Sequence, residues 1–461
     1  MLAFIFGLDS TASMFLILCV VAVCFYEAIN GFHDTANAVA TVIYTKTLKP
    51  GFAVVWSGIW NFLGVWAGGI AVAMGIIKML PLNDLMAHSL GENIALVMAI
   101  LVAAIFWNLA TWYLGIPNSS SHTLIGALLG GGFAFWSLHG GDGINWEKAK
   151  DIGLSLLFSP IFGFSMAILL MFVMSTTIKN KTIFNEPDKK NKPPFWIRAV
   201  LVTTCTLVSF FHGSNDGQKG VGLMLVVLIA FLPMQFAFDG RIPLDDLRGS
   251  ALRIENELTQ GKPDSILDVR TLPLVALARG VQNQVDTLKF HGDKTGALLL
   301  RKNMQSFNKS LQSAIDNQWV DPALVPTIKS EIKQLKKSYE FAPTWVMVLI
   351  SLSLGIGTMI GWKRIVVTIG EKIGKSHLTY AQGASAEVIA AMTIGLSTWF
   401  GLPVSTTHVL SSGVAGTMVA SGGLKNLRKK TINSLALAWI FTLPVTFVLA
   451  GLLFLLFRLL A

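Results

Sequence analysis

Charge is scarce in this chain. Of its 461 residues only 13% are Asp, Glu, Lys or Arg, about half of what a soluble domain usually carries. Cysteine is scarcer still. Cys19, Cys24 and Cys205 are the three in the chain, and each sits in an apolar segment. That excludes a disulfide framework or a cysteine metal site and leaves three small core hydrophobes. The first ten residues hold no lysine or arginine. No cationic leader region therefore precedes the apolar run, and segment 13–30 is expected to remain as a first span.

Apolar length is what the chain has in excess. Hydrophobic residues make up 53%, and the mean hydropathy is +0.60. Stretches 13–30, 52–77, 94–113, 153–176, 343–362 and 434–459 approach or exceed the roughly 20 residues needed to cross a bilayer core. The expected fold class is an all-α polytopic membrane protein. The net charge of +10 does not point to nucleic acid, because the cations gather in short loops. They are Lys46 and Lys49; Lys179, Lys181, Lys189, Lys190, Lys192 and Arg198; Lys363, Arg364, Lys372 and Lys375; and Lys425, Arg428, Lys429 and Lys430. Short basic loops mark the cytoplasmic side of a lipid bilayer.

Two motifs each occur twice, in the same order. "GFHDTANAVA" (31–40) pairs with "GSNDGQKGVG" (213–222), aligning Gly31 with Gly213 and Asp34 with Asp216. "GIPNSSSHTLIGALLG" (115–130) pairs with "GLPVSTTHVLSSGVAG" (401–416). It aligns Pro117, Ser119, Ser121 and His122 with Pro403, Ser405, Thr407 and His408. Asp34 precedes His122 by 88 residues, and Asp216 precedes His408 by 192. The difference, 104, nearly equals the polar stretch 236–342, which holds 28 of the chain's 62 charges.

The expected organisation follows from that interruption. Transmembrane repeat one covers 1–176 and a basic cytoplasmic linker covers 177–197. Repeat two covers 198–235 and 343–461, split by a mostly helical periplasmic insert at 236–342. Leu247, Ala251, Ile254 and Leu258 give the insert amphipathic helical spacing. A solvated spacer is the plainer account of its role. Placing the basic loops inside puts both termini in the periplasm. It also makes the repeats inverted, with about five spans each and about ten to twelve transmembrane helices counting broken or re-entrant segments.

The repeated polar residues are the candidates for chemistry. An acid at membrane depth costs about 2.5–3.5 kcal/mol on insertion scales, and such residues mark ion or proton paths. Asp34 and Asp216 are therefore assigned to cation or proton coupling; the bland alternative is a hydrated helix-end aspartate. Gly31 and Gly213 are expected to let the helix unwind there. Glu27, two turns before Asp34, is either a proton site or a structural partner. Glu387, in "GASAEVIAAMTIGL", is a further intramembrane acid with a coupling or gating role.

The hydroxyl runs suit an anion. Pro117 and Pro403 break any preceding helix, and a new helix N-terminus offers free N–H groups and a positive dipole end. Ser119, Ser120, Ser121, Ser405, Thr406 and Thr407 add hydroxyl donors, against the alternative of simple N-capping. Asn37 and its counterpart Lys219 are placed beside them. Asn30, His33, Asn215, His122 and His408 are assigned supporting roles. Asn61 and Asn108 read as helix–helix hydrogen bonders.

At these residues the sequence resembles a known family. "GFHDTANAVATVIYTKTL", "YLGIPNSSSHTLIG", "HGSNDGQKGVG" and "GLPVSTTHVLSSGVAGTM" are similar to the duplicated signature of the PiT inorganic phosphate transporters, and most of all to its bacterial low-affinity branch. The resemblance spans the chain outside the insert. It implies phosphate symport with a cation and no bound cofactor. For the bacterial branch it implies protons, with a divalent metal carried as a metal-phosphate complex. Asp34 and Asp216 are then the metal ligands if such a complex, or sodium, is bound. Sodium-coupled members read Gly-x-Asn-Asp-x-x-Asn in both halves. Here His33 and Lys219 depart from that pattern, and Asn61 stands where those members carry Glu, which favours protons. Glu387 matches an acid of the family. A homodimer is compatible with this architecture.

Three alternatives stay open at this point: a sodium-coupled phosphate carrier, a sulfate permease of the same fold, and a membrane hydrolase using Ser120, His122 and an aspartate. Sulfate carries no proton at neutral pH whereas phosphate titrates near it, which separates the first two substrates. A hydrolase lacks a reason for two copies and has no nucleophile-elbow motif.

Overall fold

The structure is a computed structural model. It describes residues 8–80, 88–141, 143–188, 191–236, 238–260, 267–291, 294–361, 363, 366 and 373–460. Lys189, Lys190, Arg364 and Lys372, assigned above to basic loops, lie outside them. Among the described residues every regular element is a helix, apart from an isolated antiparallel bridge between Gly374 and Leu427. In chain order α1 is Ser10–Tyr44, α2 Pro50–Ala67, α3 Ala71–Ile77, α4 Leu90–Tyr113, α5 Ser120–His139, α6 Trp146–Thr177 and α7 Phe195–Phe231. The polar stretch supplies α8 Leu244–Thr259, α9 Leu272–His291, α10 Lys294–Asp316 and α11 Val325–Tyr339. Then follow α12 Thr344–Met359, α13 Tyr380–Trp399, α14 Thr406–Gly422 and α15 Lys429–Arg458.

Among the described residues α1, α4, α6, α7 and α15 are each long and apolar enough to cross a membrane. The count reaches seven if two bent helix pairs are each one span, α2 with α3 among them, bent by 73°. The chain is thus an all-helical membrane protein with broken helices. The shorter α5 and α14 follow α4 and α13 across the breaks at 114–119 and 400–405.

Both breaks are built alike. Gly115 and Gly401 each hold φ +66, in the left-handed region that a residue without Cβ enters freely. The Gly115 N–H donates to Trp112 O and Ile116 N–H to Thr111 O; Gly401 N–H donates to Thr398 O and Leu402 N–H to Ser397 O. These bonds close α4 and α13 in the same way. Pro117 and Pro403 then prevent helix from resuming. Ser119 and Ser405 restart it as N-caps, their hydroxyls accepting from the His122 and His408 N–H at 3.1 and 3.2 Å.

The expected unwinding at Gly31 and Gly213 does not occur. Helices α1 and α7 run through them unbroken, over 35 and 37 residues. The two glycines serve close approach instead. A Cβ on Gly31 would lie 2.5 Å from Leu354 O in α12, and one on Gly213 would collide with Asn61 O in α2. Elsewhere α5 packs along α15 and α6 along α14, with Gly130 against Phe447 O and Gly416 against Phe164 O. Lipid provides no hydrophobic drive between helices, so such small residues decide how near two backbones come. In each pairing, a helix that ends by Thr177 meets one that begins at Phe195 or later.

The chain divides into two compact units. One comprises 13–81, 94–226 and 343–461; the other comprises 1–12, 82–93 and 227–342. The second takes in all of α8–α11, which form a small bundle. Leu247, Ala251 and Ile254 are buried in it, as are Phe307 and Leu311 of α10. Exposed ion pairs join its helices, such as Arg253 to Glu331 at 2.8 Å and Arg279 to Glu255 at 2.6 Å. In the connection before α8, the Arg241 guanidinium holds the Asp239 carboxyl below the usual range.

Candidate functional site

The site lies within the first unit, where α1 and α7 meet the N-termini of α5 and α14. Asp34 is 2% exposed. The Thr407 hydroxyl donates to its Oδ1, and the Thr406 hydroxyl to its Oδ2 at 3.4 Å. Asn37, one turn along α1, donates from Nδ2 to Asp34 Oδ1 and to Thr407 Oγ1, both at 3.2 Å. The first-half aspartate is therefore held by the second-half hydroxyl run.

Asp216 reaches the other hydroxyl run only through Lys219. Lys219, one turn along α7, brings Nζ to 2.9 Å from Asp216 Oδ1, although neither carboxylate oxygen makes an aligned hydrogen bond. The same ammonium donates to Ser121 Oγ and, at 2.9 Å, to the Val404 carbonyl. Ser121 donates in turn to that carbonyl at 2.6 Å. All of these side chains are buried. A charge there is tolerated because it is paired.

His212 joins the two centres. His212 Nε2 stands 3.6 Å from Asp34 Oδ2 and 3.9 Å from Asp216 Oδ2. Its Nδ1 pairs with Asn61 Oδ1 at 2.8 Å, and Asn61 donates to Thr358 at 3.1 Å. Asp34, His212 and Asp216 each offer a ligand atom within 4.8 Å of the others. Carboxylate and imidazole together suit a divalent cation or proton exchange. His33 Nδ1 lies 3.8 Å from Asp34 Oδ1.

Sequence reasoning missed His212 and the part played by Asn61. The signal was present: His212 precedes Asp216 by four residues, one helical turn, and aligns with Asn30 in the other copy. The contact with Asp34, in contrast, joins residues 178 apart in sequence.

Other candidates fall into separate places. Ser119 and Ser405 serve as caps, and the Ser119 hydroxyl also lies 2.8 Å from His122 Nδ1. Asn215 braces the second break, donating to Thr398 Oγ1 at 3.0 Å and Leu402 O at 3.1 Å while accepting from Val404 N–H at 3.2 Å. His122 and His408 face each other with ring centroids 4.5 Å apart, and His408 packs on Trp439. Asn30 donates to Glu27 Oε1 at 3.2 Å, and Glu27 Oε2 is buried without a hydrogen bond. Glu387 accepts from Thr204 at 2.5 Å. Thr204 precedes Asp216 by twelve residues on α7, about 18 Å along the helix, so Glu387 stands apart from the aspartate cluster. The Ser120 hydroxyl makes no hydrogen bond, so the Ser120–His122 pair of the hydrolase alternative does not form.

These elements can do two things chemically. The N-termini of α5 and α14 present hydroxyls and helix dipole to an anion, and the aspartates beside them can hold positive charge. Comparison with known proteins bears on which anion. The phosphate transporter family matches residues 30–450. The low-affinity inorganic phosphate transporter PitB of Escherichia coli K12 is 40% identical over 98% of this chain and 98% of its own length. PitA of the same strain is 40% identical over 96% and 97%. The probable low-affinity inorganic phosphate transporter of Bacillus subtilis 168 is 28% identical over 93% of each chain. A solved structure titled the sodium-dependent phosphate transporter shares the fold at a TM-score of 0.56 and 20% identity, covering 97% of this chain and 100% of that one. A match across residues 30–450 and near-full-length relatives at 40% identity place this chain in the phosphate transporter family.

Proposed function

We propose that the chain imports inorganic phosphate across the bacterial inner membrane by proton-coupled symport. The observation that carries this reading is the crossed arrangement of the two centres. Each aspartate helix meets the hydroxyl-bearing helix start of the opposite half, Asp34 at Thr407 and the Asp216–Lys219 pair at Ser121. Phosphate binds between the two starts, to Ser120, Ser121, Thr406 and Thr407 with Asn37 assisting. Ser119 and Ser405 act by shaping those starts. Lys219 stands beside them, its ammonium paired with Asp216 and donating to Ser121.

Protons move through Asp34 and the histidines beside it, His33 and His212. Asp34 and His212, the members of the three-residue group that Lys219 does not pair, also suit a divalent metal arriving with phosphate. The halves act as inverted repeats that rock about the shared site, giving alternating access. Both termini then face the periplasm. The family is one of transporters, so the hydrolase reading is set aside.

In proteoliposomes, labelled phosphate uptake is expected to follow an inward proton gradient without sodium. Uptake that needs sodium, or that continues after a proton ionophore collapses the gradient, refutes the proton reading. Ser121→Ala and Thr407→Ala each remove one hydroxyl donor. Each is expected to raise the half-saturating phosphate concentration by roughly tenfold, from about 1.5 kcal/mol per charge-assisted hydrogen bond. Unchanged affinity in both variants places phosphate elsewhere.

A further inference from the structure

The two copies of the motif differ at one position in a way that changes their charge. Asn37 and Lys219 stand three residues after Asp34 and Asp216 and reach equivalent partners. Asn37 contacts its own aspartate and Thr407; Lys219 contacts its own aspartate and Ser121. Lys219 reaches one more group, the Val404 carbonyl at 2.9 Å. Its ammonium thus has a carboxylate oxygen at 2.9 Å, a backbone carbonyl and a hydroxyl around it, with no solvent exposure. Carboxylate, carbonyl and hydroxyl oxygens are the donors that hard cations select.

Resting on the phosphate-carrier reading, we infer that the Lys219 ammonium is a tethered cation: it fills the place of one coupling ion in the second copy, so Asp216 exchanges none. The charge of Asp216 is balanced in every state of the cycle by a group that cannot leave. The exchangeable charge falls to the first copy. There the uncharged Asn37 leaves Asp34 beside His33 and His212, at 3.8 and 3.6 Å. This assignment explains why an asymmetric pair of sites sits in a duplicated framework. One aspartate is neutralised permanently and the other by whatever the gradient supplies. Lys219 therefore decides ion specificity, and its removal opens an oxygen-lined place of cation size.

The test uses the purified full chain in proteoliposomes, with labelled phosphate uptake and binding of radioactive sodium as readouts. Lys219→Ala is expected to lose phosphate uptake by more than roughly tenfold in sodium-free buffer, because it strands a buried carboxylate. External sodium is expected to restore uptake, with saturable sodium binding that the parent chain lacks. The double variant Lys219→Ala with Asp216→Asn removes both charges. It is expected to regain sodium-independent uptake relative to either single change and to bind no sodium.

Two results overturn the inference. One is Lys219→Ala taking up phosphate without sodium at the parent rate. The other is a folded Lys219→Ala that neither binds sodium nor responds to it, with a double variant no better than the singles. Size-exclusion behaviour separates unfolding from loss of function, and the double variant keeps the question decidable if the single one misfolds. Failure of the parent chain to carry phosphate at all refutes the phosphate reading instead; sodium binding by Lys219→Ala still decides the lysine's role.

Discussion

Asp34→Asn is expected to lower phosphate uptake by roughly a hundredfold or more while leaving the protein folded in the membrane. The carboxylate accepts from Thr407, Thr406 and Asn37 at once. A hydrogen bond to a charged group contributes about 1.5–3 kcal/mol, and the amide weakens at least two of them. The substitution also removes the negative charge that faces His33 and His212, so the proposed proton path loses its acceptor. The amide fits the same space, so the monodisperse fraction in detergent should match the parent. Uptake within about twofold of the parent, at matched expression, removes Asp34 from the mechanism. Reduced expression with normal uptake per molecule has the same consequence, since it makes the residue structural.

Gly213→Leu is the second large effect, and it acts on packing. A Cβ at this position has no room, because the Asn61 carbonyl already occupies it. The strain falls on α7 and α2 together. Asn61 is also the residue that holds His212 through its side chain, so the displacement reaches the site directly. Overpacking of this kind costs about 1–3 kcal/mol and at times more. Here backbone meets backbone, which leaves no rotamer to relax. The expected results are a melting temperature lowered by several degrees in detergent and phosphate uptake near background. Gly51→Leu is the control, since nothing lies near its missing Cβ, and should melt with the parent. A Gly213→Leu protein as stable and active as the parent shows that α7 and α2 do not need this contact.

The two glycines also show how a correct residue can carry the wrong reason. A repeated Gly-x-x-Asp in an apolar run is compatible with an unwound helix, and that is how its sequence reads. The alternative, a helix kept whole so that a neighbour can approach, needs the neighbour. Leu354 lies 323 residues from Gly31 and Asn61 lies 152 from Gly213, and no local pattern announces them. Glu387 is a similar case. Its acid inside an apolar helix is legible, but its partner Thr204 and its separation from Asp34 are properties of helix packing.

What the sequence determined by itself is whatever short-range chemistry or duplication can encode. Apolar length decided the membrane class, because a bilayer core admits only chain that satisfies its own backbone polar groups. Gly115 with Pro117, and Gly401 with Pro403, decided the two breaks, because φ and a missing N–H are local properties. Two signatures in two halves decided the family. The tertiary structure alone decided that the motif copies exchange partners, Asp34 with Thr407 and Lys219 with Ser121, and that His212 stands between both aspartates. Apart from His212 with Asp216, one helical turn apart, those contacts span sequence separations of 98 to 373 residues. At such distances the choice of partner depends on which helix faces pack closest, and small residues spread along the whole chain decide that together.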